Sequence, residues 1–94
     1  MRMISLEQKT PSEITQAVAA RVRARRKELR LTQAEFAKRA GMSYGSYRRF
    51  EATGCIAFDS LAKIAIVLSR EDDFDALFAK RAYTSIQEVI DEWK

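Results

Sequence analysis

The chain has 94 residues, of which 47% are hydrophobic and 32% are charged, a composition typical of one small globular domain. It contains no histidine and a single cysteine. This excludes an intrachain disulfide, a Cys/His zinc site and histidine acid–base catalysis. Neither a phosphate-binding glycine loop nor a nucleophile–base set is recognisable. We therefore expect no enzyme activity, no catalytic residues, no metal and no cofactor.

The net charge of +4 is divided unevenly along the chain. Residues 1–50 carry 12 basic and 4 acidic side chains, whereas residues 51–94 carry 5 basic and 9 acidic ones. This asymmetry favours a basic half that faces a polyanion, although a solvated arginine-rich helix would give the same count. A basic helix on a membrane surface is a weaker alternative, because the basic segment lacks bulky aromatic residues.

The expected location is the cytoplasm. The longest apolar run, at residues 64–68, is far too short to cross a bilayer, and the first twenty residues contain no hydrophobic signal segment. The lack of disulfides fits a reducing compartment.

Glycine and proline are scarce and no alternating strand pattern appears, so we predict an all-α fold. Thr10–Glu13 resembles a capping box with proline at the first helical position, which predicts a helix over residues 11–29. A second capping box, Thr32–Glu35, begins a helix of about eight residues. Gly41 ends that helix, because glycine accepts the left-handed conformation of a sharp turn.

Ser43 is predicted to cap a third helix over residues 44–52, which Gly54 then stops. Apolar residues at helical spacing predict a fourth helix over residues 58–68. Asp73 is predicted to cap a short fifth helix that runs through Phe78.

The C-terminal segment is predicted to form a short amphipathic helix. Ser85–Glu88 is a further capping box. Apolar residues then recur at i, i+3, i+4 and i+7, namely Ile86, Val89, Ile90 and Trp93. An isolated helix this short is only marginally stable in water, so its apolar stripe must dock on the core of its own chain or on a second copy. We divide the chain into a flexible tail (1–10), a helix-turn-helix domain (11–79) and a tail helix (80–94) that is a candidate dimer or partner contact.

The second and third helices and their tight turn have the pattern of a helix-turn-helix. Five residues are assigned to its structure: Ala37, Gly41, Met42, Tyr47 and Phe50. Ala37 is small enough for a close helix crossing, Gly41 makes the turn, and the other three point inward. This leaves the outer face of the third helix free to enter a major groove.

These residues resemble the Cro/Xre (lambda-repressor-like) DNA-binding domains. The resemblance is carried by Leu31–Ser43 with Tyr47–Glu51, by the upstream Arg21–Arg30 and by the downstream Leu61–Leu68. It covers roughly residues 12–78. It implies a five-helix lambda-repressor-like domain that binds double-stranded DNA.

The resemblance also implies which residues contact DNA. Base or groove contacts fall at four positions of the third helix: Tyr44, Gly45, Arg48 and Arg49. Phosphate contacts fall at Gln33, Ser43 and Ser46, the two serines being helix caps or backbone contacts. An arginine can bind guanine O6 and N7 in bidentate fashion or clamp a phosphate, and both roles stay open here.

The same resemblance pairs Arg26 with Glu51, tying the first helix to the third. The alternative is an exposed ion pair that contributes little, roughly 0–1 kcal/mol. Two positions depart from the family pattern. Gly45 offers no side chain to a base, and Tyr44 recognises a base edge less predictably than a glutamine would. The turn at residues 55–57 is not basic, and its Ala57 cannot cap the fourth helix.

The expected function is sequence-specific regulation of transcription. The small size favours a repressor that acts as a homodimer by occupying a two-fold symmetric operator, with half-sites about 10 bp apart. The alternative is an antitoxin, whose acidic C-terminal segment would bind a toxin or another protein partner while the chain regulates its own operon.

Overall fold

A computed structural model of the protein describes residues 9–82. This range contains four α-helices and one short 3-10 helix: α1 (Pro11–Glu28), α2 (Gln33–Arg39), α3 (Tyr44–Thr53), α4 (Phe58–Val67) and the 3-10 helix Glu71–Ala76. No strand occurs within these residues. The predicted all-α, five-helix architecture is therefore confirmed, and the bounds predicted for α1 to α4 agree with the observed ones to within about a residue.

Side-chain caps fix the starts of the first three helices. The Thr10 hydroxyl accepts the backbone N–H of Glu13 at 3.1 Å, and the Glu13 carboxylate accepts the N–H of Thr10 at 3.1 Å. Thr32 and Glu35 repeat this reciprocal pair at the start of α2, with distances of 2.8 and 3.1 Å. Ser43 caps α3. Each cap satisfies a backbone donor that the helix itself leaves unpaired.

Three of the helices end in the same way, with one left-handed residue just beyond the C-cap. After α2 this residue is Gly41, with φ of 68°, and the N–H of Met42 returns to the carbonyl of Ala37 at 2.9 Å. Arg30 after α1 and Ser69 after α4 adopt φ values of 58° and 56°. Glycine adopts the left-handed conformation without steric cost, whereas Arg30 and Ser69 each carry a Cβ atom and adopt it at a cost. The left-handed residue is therefore unstrained only after α2.

The core lies where α1, α2, α3 and α4 meet. Its largest fully buried side chains are Phe36, Tyr47, Phe50 and Ile64. The ring centroids of Phe36 and Tyr47 lie 5.0 Å apart, and those of Tyr47 and Phe50 lie 6.1 Å apart, both tilted as aromatic pairs prefer. Tyr47 and Phe50 belong to α3, so the core fixes the rotation of that helix about its own axis.

Gly54 holds the C-terminal end of α3 against the N-terminal part of α1. Its φ of 83° is left-handed, and it is buried. A Cβ atom at this position would lie 2.7 Å from the Thr15 hydroxyl oxygen and 2.9 Å from the backbone nitrogen of Gln16. Glycine is required here for conformation and for space together.

The prediction that Asp73 caps the fifth helix is wrong. The short helix begins earlier, at Glu71, and no side chain caps it. The Asp73 carboxylate instead accepts a hydrogen bond from Arg70 at 2.9 Å, so it is engaged in an ion pair on the surface. The helix also ends before Phe78, whose side chain is 93% exposed.

On α1, the buried positions are Ala19, Val22 and Arg26. Two further apolar residues of this segment, Ile14 and the C-cap residue Leu29, are about half exposed and do not join the core. The predicted N-terminal tail lies mostly, and the predicted C-terminal helix almost entirely, outside the described residues. Within residues 9–82, no helix is both long and apolar enough to cross a membrane.

Candidate nucleic-acid interface

Helix α3 presents two different faces. Tyr47 and Phe50 are buried, whereas Tyr44, Arg48 and Arg49 on the other side are exposed, Tyr44 by 49%. Residues four apart on a helix lie above one another, so Tyr44 and Arg48 share one row. Within residues 9–82, neither Arg48 nor Arg49 forms an ion pair. The outward face of α3 therefore offers an aromatic hydroxyl and two guanidinium groups to an external partner.

Gly45 lies on the same outward face, beside Tyr44. A Cβ atom at this position would have no heavy atom within 4 Å. The backbone there is ordinary helix, without a positive φ. Neither packing nor backbone conformation within the domain therefore requires glycine at this position.

Ser43 and Ser46 form a linked pair at the N-terminal end of α3. The Ser43 hydroxyl oxygen accepts the N–H of Ser46 at 3.1 Å, and the Ser43 hydroxyl donates to the Ser46 hydroxyl at 2.8 Å. The Ser43 hydroxyl is thus committed to the cap, while that of Ser46, which is exposed, can still donate outward. The first turn of α3 contains no acidic residue, so its positive helix end is not neutralised there.

One carboxylate joins three helices behind this face. Glu51, on α3, accepts two hydrogen bonds from Arg26 of α1, at 2.7 and 3.2 Å. It also accepts one from the side-chain amide of Gln33 on α2 at 2.9 Å and one from the hydroxyl of Tyr47. Arg26 additionally donates to the backbone carbonyl of Leu31 at 2.7 Å. The relative placement of α1, α2 and α3 is therefore fixed at a single point.

The Arg26–Glu51 pair is buried, which contradicts the alternative of an exposed pair. The two side chains are only 9% and 4% exposed. Burial alone raises the pKa of Glu51, but the hydrogen bonds from Arg26, Tyr47 and Gln33 outweigh it and bring the pKa below its usual value. Burial, together with the bond to Glu51, raises the pKa of the Tyr47 phenol far above its ordinary value. Glu51 is thus an anion held by donors, and Tyr47 stays protonated.

The remaining predicted residues occupy defined places. Ala37 is fully buried in the core with Tyr47 and Phe50, and Met42 is half-buried beside it. Gln33 is also half-buried. Its bond to Glu51 uses one of the two amide hydrogens, which leaves the second for another acceptor.

Sequence reasoning missed two features of this site. It assigned Tyr47 only to the apolar core, although its hydroxyl binds Glu51, and it did not connect Gln33 with Glu51. Tyr47 and Glu51 are four residues apart on one helix, a spacing at which side chains meet, so that signal was present in the sequence. No local pattern indicates a contact between residues 33 and 51, which depends on how α2 crosses α3.

Two packed helices, a tight turn between them and an exposed polar face on the second define a helix-turn-helix DNA-binding protein. A family model described as Helix-turn-helix, of the Cro/C1 type, matches residues 22–73. This is more than half of the chain, and it runs from the middle of α1 into the 3-10 helix. The chain therefore belongs to this helix-turn-helix family, and its domain is that of a DNA-binding transcriptional regulator. Among curated proteins, none is similar enough in sequence to count as a relative.

Proposed function

We propose that the protein represses transcription by inserting α3 into the major groove of a specific operator. The observation that carries this proposal is the division of α3 into two faces. Its inner face is immobilised by Tyr47, Phe50 and the Glu51 hydrogen bonds, whereas its outer face, at positions 44, 45, 48 and 49, is exposed. A rigid helix with an unoccupied polar face is what direct reading of base edges requires.

Four residues of α3 supply the contacts to bases or to the groove in this proposal. Arg49 and Arg48 are exposed, and a guanidinium group binds the O6 and N7 atoms of guanine in bidentate fashion. Tyr44 offers its hydroxyl or its ring to a base edge. Gly45 contributes by what it lacks: the open space above its Cα lets the helix backbone approach the DNA closely.

Three residues supply phosphate contacts that set the register of the helix on the duplex. Gln33 uses the amide hydrogen that Glu51 does not take. Ser46 uses its outward hydroxyl, and Ser43 acts through the cap that orients it. Such contacts position the protein but carry no sequence information by themselves.

The protein acts as a homodimer in this proposal, on an operator with two-fold symmetry and half-sites about 10 bp apart. One module of this size makes only a small interface with DNA, so a second copy is needed for high affinity. Occupation of the operator represses transcription without a separate effector domain. This activity places the protein in the cytoplasm, at the nucleoid.

The test is DNA binding measured by fluorescence anisotropy at two salt concentrations. The upstream region of the protein's own gene is compared with a random duplex of equal length. We expect selective binding that persists at the higher salt concentration. Equal binding to both duplexes that disappears with salt would reflect counterion release alone and would contradict the proposal. In that case the alternative of an antitoxin with a protein partner becomes the hypothesis to pursue.

Variants separate the two kinds of contact. Arg49→Ala is expected to weaken the preferred site by roughly 1–3 kcal/mol and to relax its specificity, whereas Gln33→Ala weakens all sequences similarly. The matched control is Arg70→Ala, which removes the same charge beside the 3-10 helix, away from α2 and α3. If Arg49→Ala reduced specific and random binding equally, Arg49 would be a phosphate contact and not a base reader.

A further inference from the structure

A second arginine of α1 lies beside the buried ion pair. The Nε atom of Arg23 is 4.0 Å from Oε1 of Glu51, the same oxygen that accepts hydrogen bonds from Arg26 and Gln33. This distance is too long for a hydrogen bond, so Arg23 is attracted to the carboxylate without donating to it. The side chain of Arg23 is 58% exposed, whereas that of Arg26 is 9% exposed. Arg23 is thus the solvent-facing member of the cluster.

This cluster has one more positive charge than negative. It contains the guanidinium groups of Arg23 and Arg26 and the single carboxylate of Glu51. Arg26 donates two hydrogen bonds to that carboxylate and is buried with it. The excess positive charge therefore lies on Arg23, at the surface. A guanidinium group in this situation recognises an anion from outside the domain.

Arg23 adjoins residues that the proposed function places against DNA. Gln33, a proposed phosphate contact, donates to Glu51 Oε1 at 2.9 Å, so its amide and the Arg23 guanidinium converge on one oxygen. On α3, Glu51 is three residues from Arg48, and residues at this spacing are neighbours on a helix. The exposed surface of α3 therefore continues onto α1 at Arg23, next to Gln33.

We propose that Arg23 binds a phosphate group of the DNA backbone, beside the phosphate contact of Gln33. The helix α1 then contacts the duplex together with α2 and α3. A guanidinium group donates two parallel N–H bonds to phosphate oxygens. Glu51 attracts Arg23 to this position, while its own charge is balanced by Arg26. The proposal rests on the proposed function, because α3 must dock on DNA to bring a phosphate to α1.

The test is the salt dependence of DNA binding, measured by fluorescence anisotropy on the upstream region and on the random duplex. Each phosphate that a protein neutralises contributes about 0.9 to the slope of log affinity against log salt concentration. Arg23→Ala is expected to reduce this slope by about 0.9 for each protomer bound. Between about 50 and 200 mM salt, the affinity advantage of wild type then shrinks about threefold per protomer.

Arg21→Ala is the matched control, because it removes the same charge from the same helix. Arg21 is also exposed, but it lines a groove between α1, α4 and the 3-10 helix to which α2 and α3 contribute no residue. Its substitution should leave the slope at the wild-type value. Arg23→Lys keeps the charge and should also retain the wild-type slope. The urea midpoint of free Arg23→Ala should equal that of wild type, since the side chain donates no hydrogen bond to Glu51.

Two results would overturn the proposal. One is an equal change of slope, or none, in Arg23→Ala and Arg21→Ala. The other is a slope that falls as far in Arg23→Lys as in Arg23→Ala, because Arg23 would then act on the placement of Glu51 and not as a charge on a phosphate.

The random duplex separates this proposal from the proposed function. A phosphate contact carries no sequence information, so the effect of Arg23→Ala should appear on both duplexes. If wild type did not prefer the upstream region, the specific operator would be refuted, while a reduced slope on the random duplex would still support the Arg23 contact. If wild type preferred the upstream region and Arg23→Ala kept the wild-type slope, the Arg23 contact alone would be refuted.

Discussion

Replacing Gly54 by alanine tests the close approach between the C-terminal end of α3 and α1. The substitution adds a single methyl group at the C-terminal end of α3. That methyl carbon would lie 2.7 Å from the Thr15 hydroxyl oxygen and 2.8 Å from the Thr15 carbonyl carbon. The hydroxyl could rotate away, but the backbone of α1 can yield only if the helix moves.

Two costs of this substitution can be worked from the structure. The φ of 83° at Gly54 is left-handed, which costs a residue with a Cβ atom about 1–2 kcal/mol. The contact with α1 adds an overpacking cost of about 1–3 kcal/mol. We therefore expect Gly54→Ala to lower the free energy of unfolding by about 2–5 kcal/mol. This is a large part of the roughly 5–15 kcal/mol that stabilises a typical domain.

The other two glycines of the chain serve as controls. Gly41 is also left-handed, with φ of 68°, but a Cβ there meets nothing within 4 Å, so Gly41→Ala should incur only the conformational cost of about 1–2 kcal/mol. Gly45 is helical and equally open, so Gly45→Ala should stabilise the protein by about 0.5–1 kcal/mol. Urea unfolding followed by circular dichroism gives all three values. If Gly54→Ala and Gly41→Ala cost the same, the contact with α1 does not constrain the fold.

Three further predictions concern helix ends and the buried ion pair. Ser69→Gly should raise the free energy of unfolding by roughly 0.5–1 kcal/mol in urea titrations, because Ser69 is exposed and left-handed; a loss of stability would contradict this. Thr32→Ala should cost about 1 kcal/mol, because it removes the cap of the seven-residue helix α2, and an unchanged urea midpoint would refute the cap's contribution. Glu51→Gln should cost about 3–5 kcal/mol, because it leaves the buried Arg26 without its counterion. Folding lowers the pKa of Glu51, so the stabilisation that its carboxylate gives the folded protein is complete above the ordinary carboxyl pKa. That stabilisation is lost as the pH falls through the pKa of Glu51 in the folded state. Urea midpoints of wild type should therefore fall more steeply with acid than those of Glu51→Gln, and equal slopes would exclude this linkage.

The helix bounds could be predicted because each start and stop is chemically local. Thr10, Thr32 and Ser43 each reach a backbone donor within three residues, and this information lies in the sequence itself. The fifth helix was predicted less well, because Asp73 forms an ion pair with Arg70 instead of capping. A single sequence does not decide between two local partners for one carboxylate.

The candidate site likewise has features that could be predicted from the sequence and one that could not. The exposure of Arg48 and Arg49 follows from their spacing relative to Tyr47 and Phe50 on one helix. The burial of an arginine does not follow from spacing. On α1, Arg26 is one of five basic residues between positions 21 and 27, and only the position of Glu51 on another helix makes it the buried one.

The hydrogen bonds that converge on Glu51 fix the orientation of α3 without involving the residues on its outward surface. Orientation is set by residues 47, 50 and 51 together with Arg26, none of which faces outward. The composition of the outward positions 44, 45, 48 and 49 is left open by these contacts. A library randomised only at those four positions should therefore yield folded proteins with new operator preferences, and related chains could diverge in their target sequences without altering their architecture.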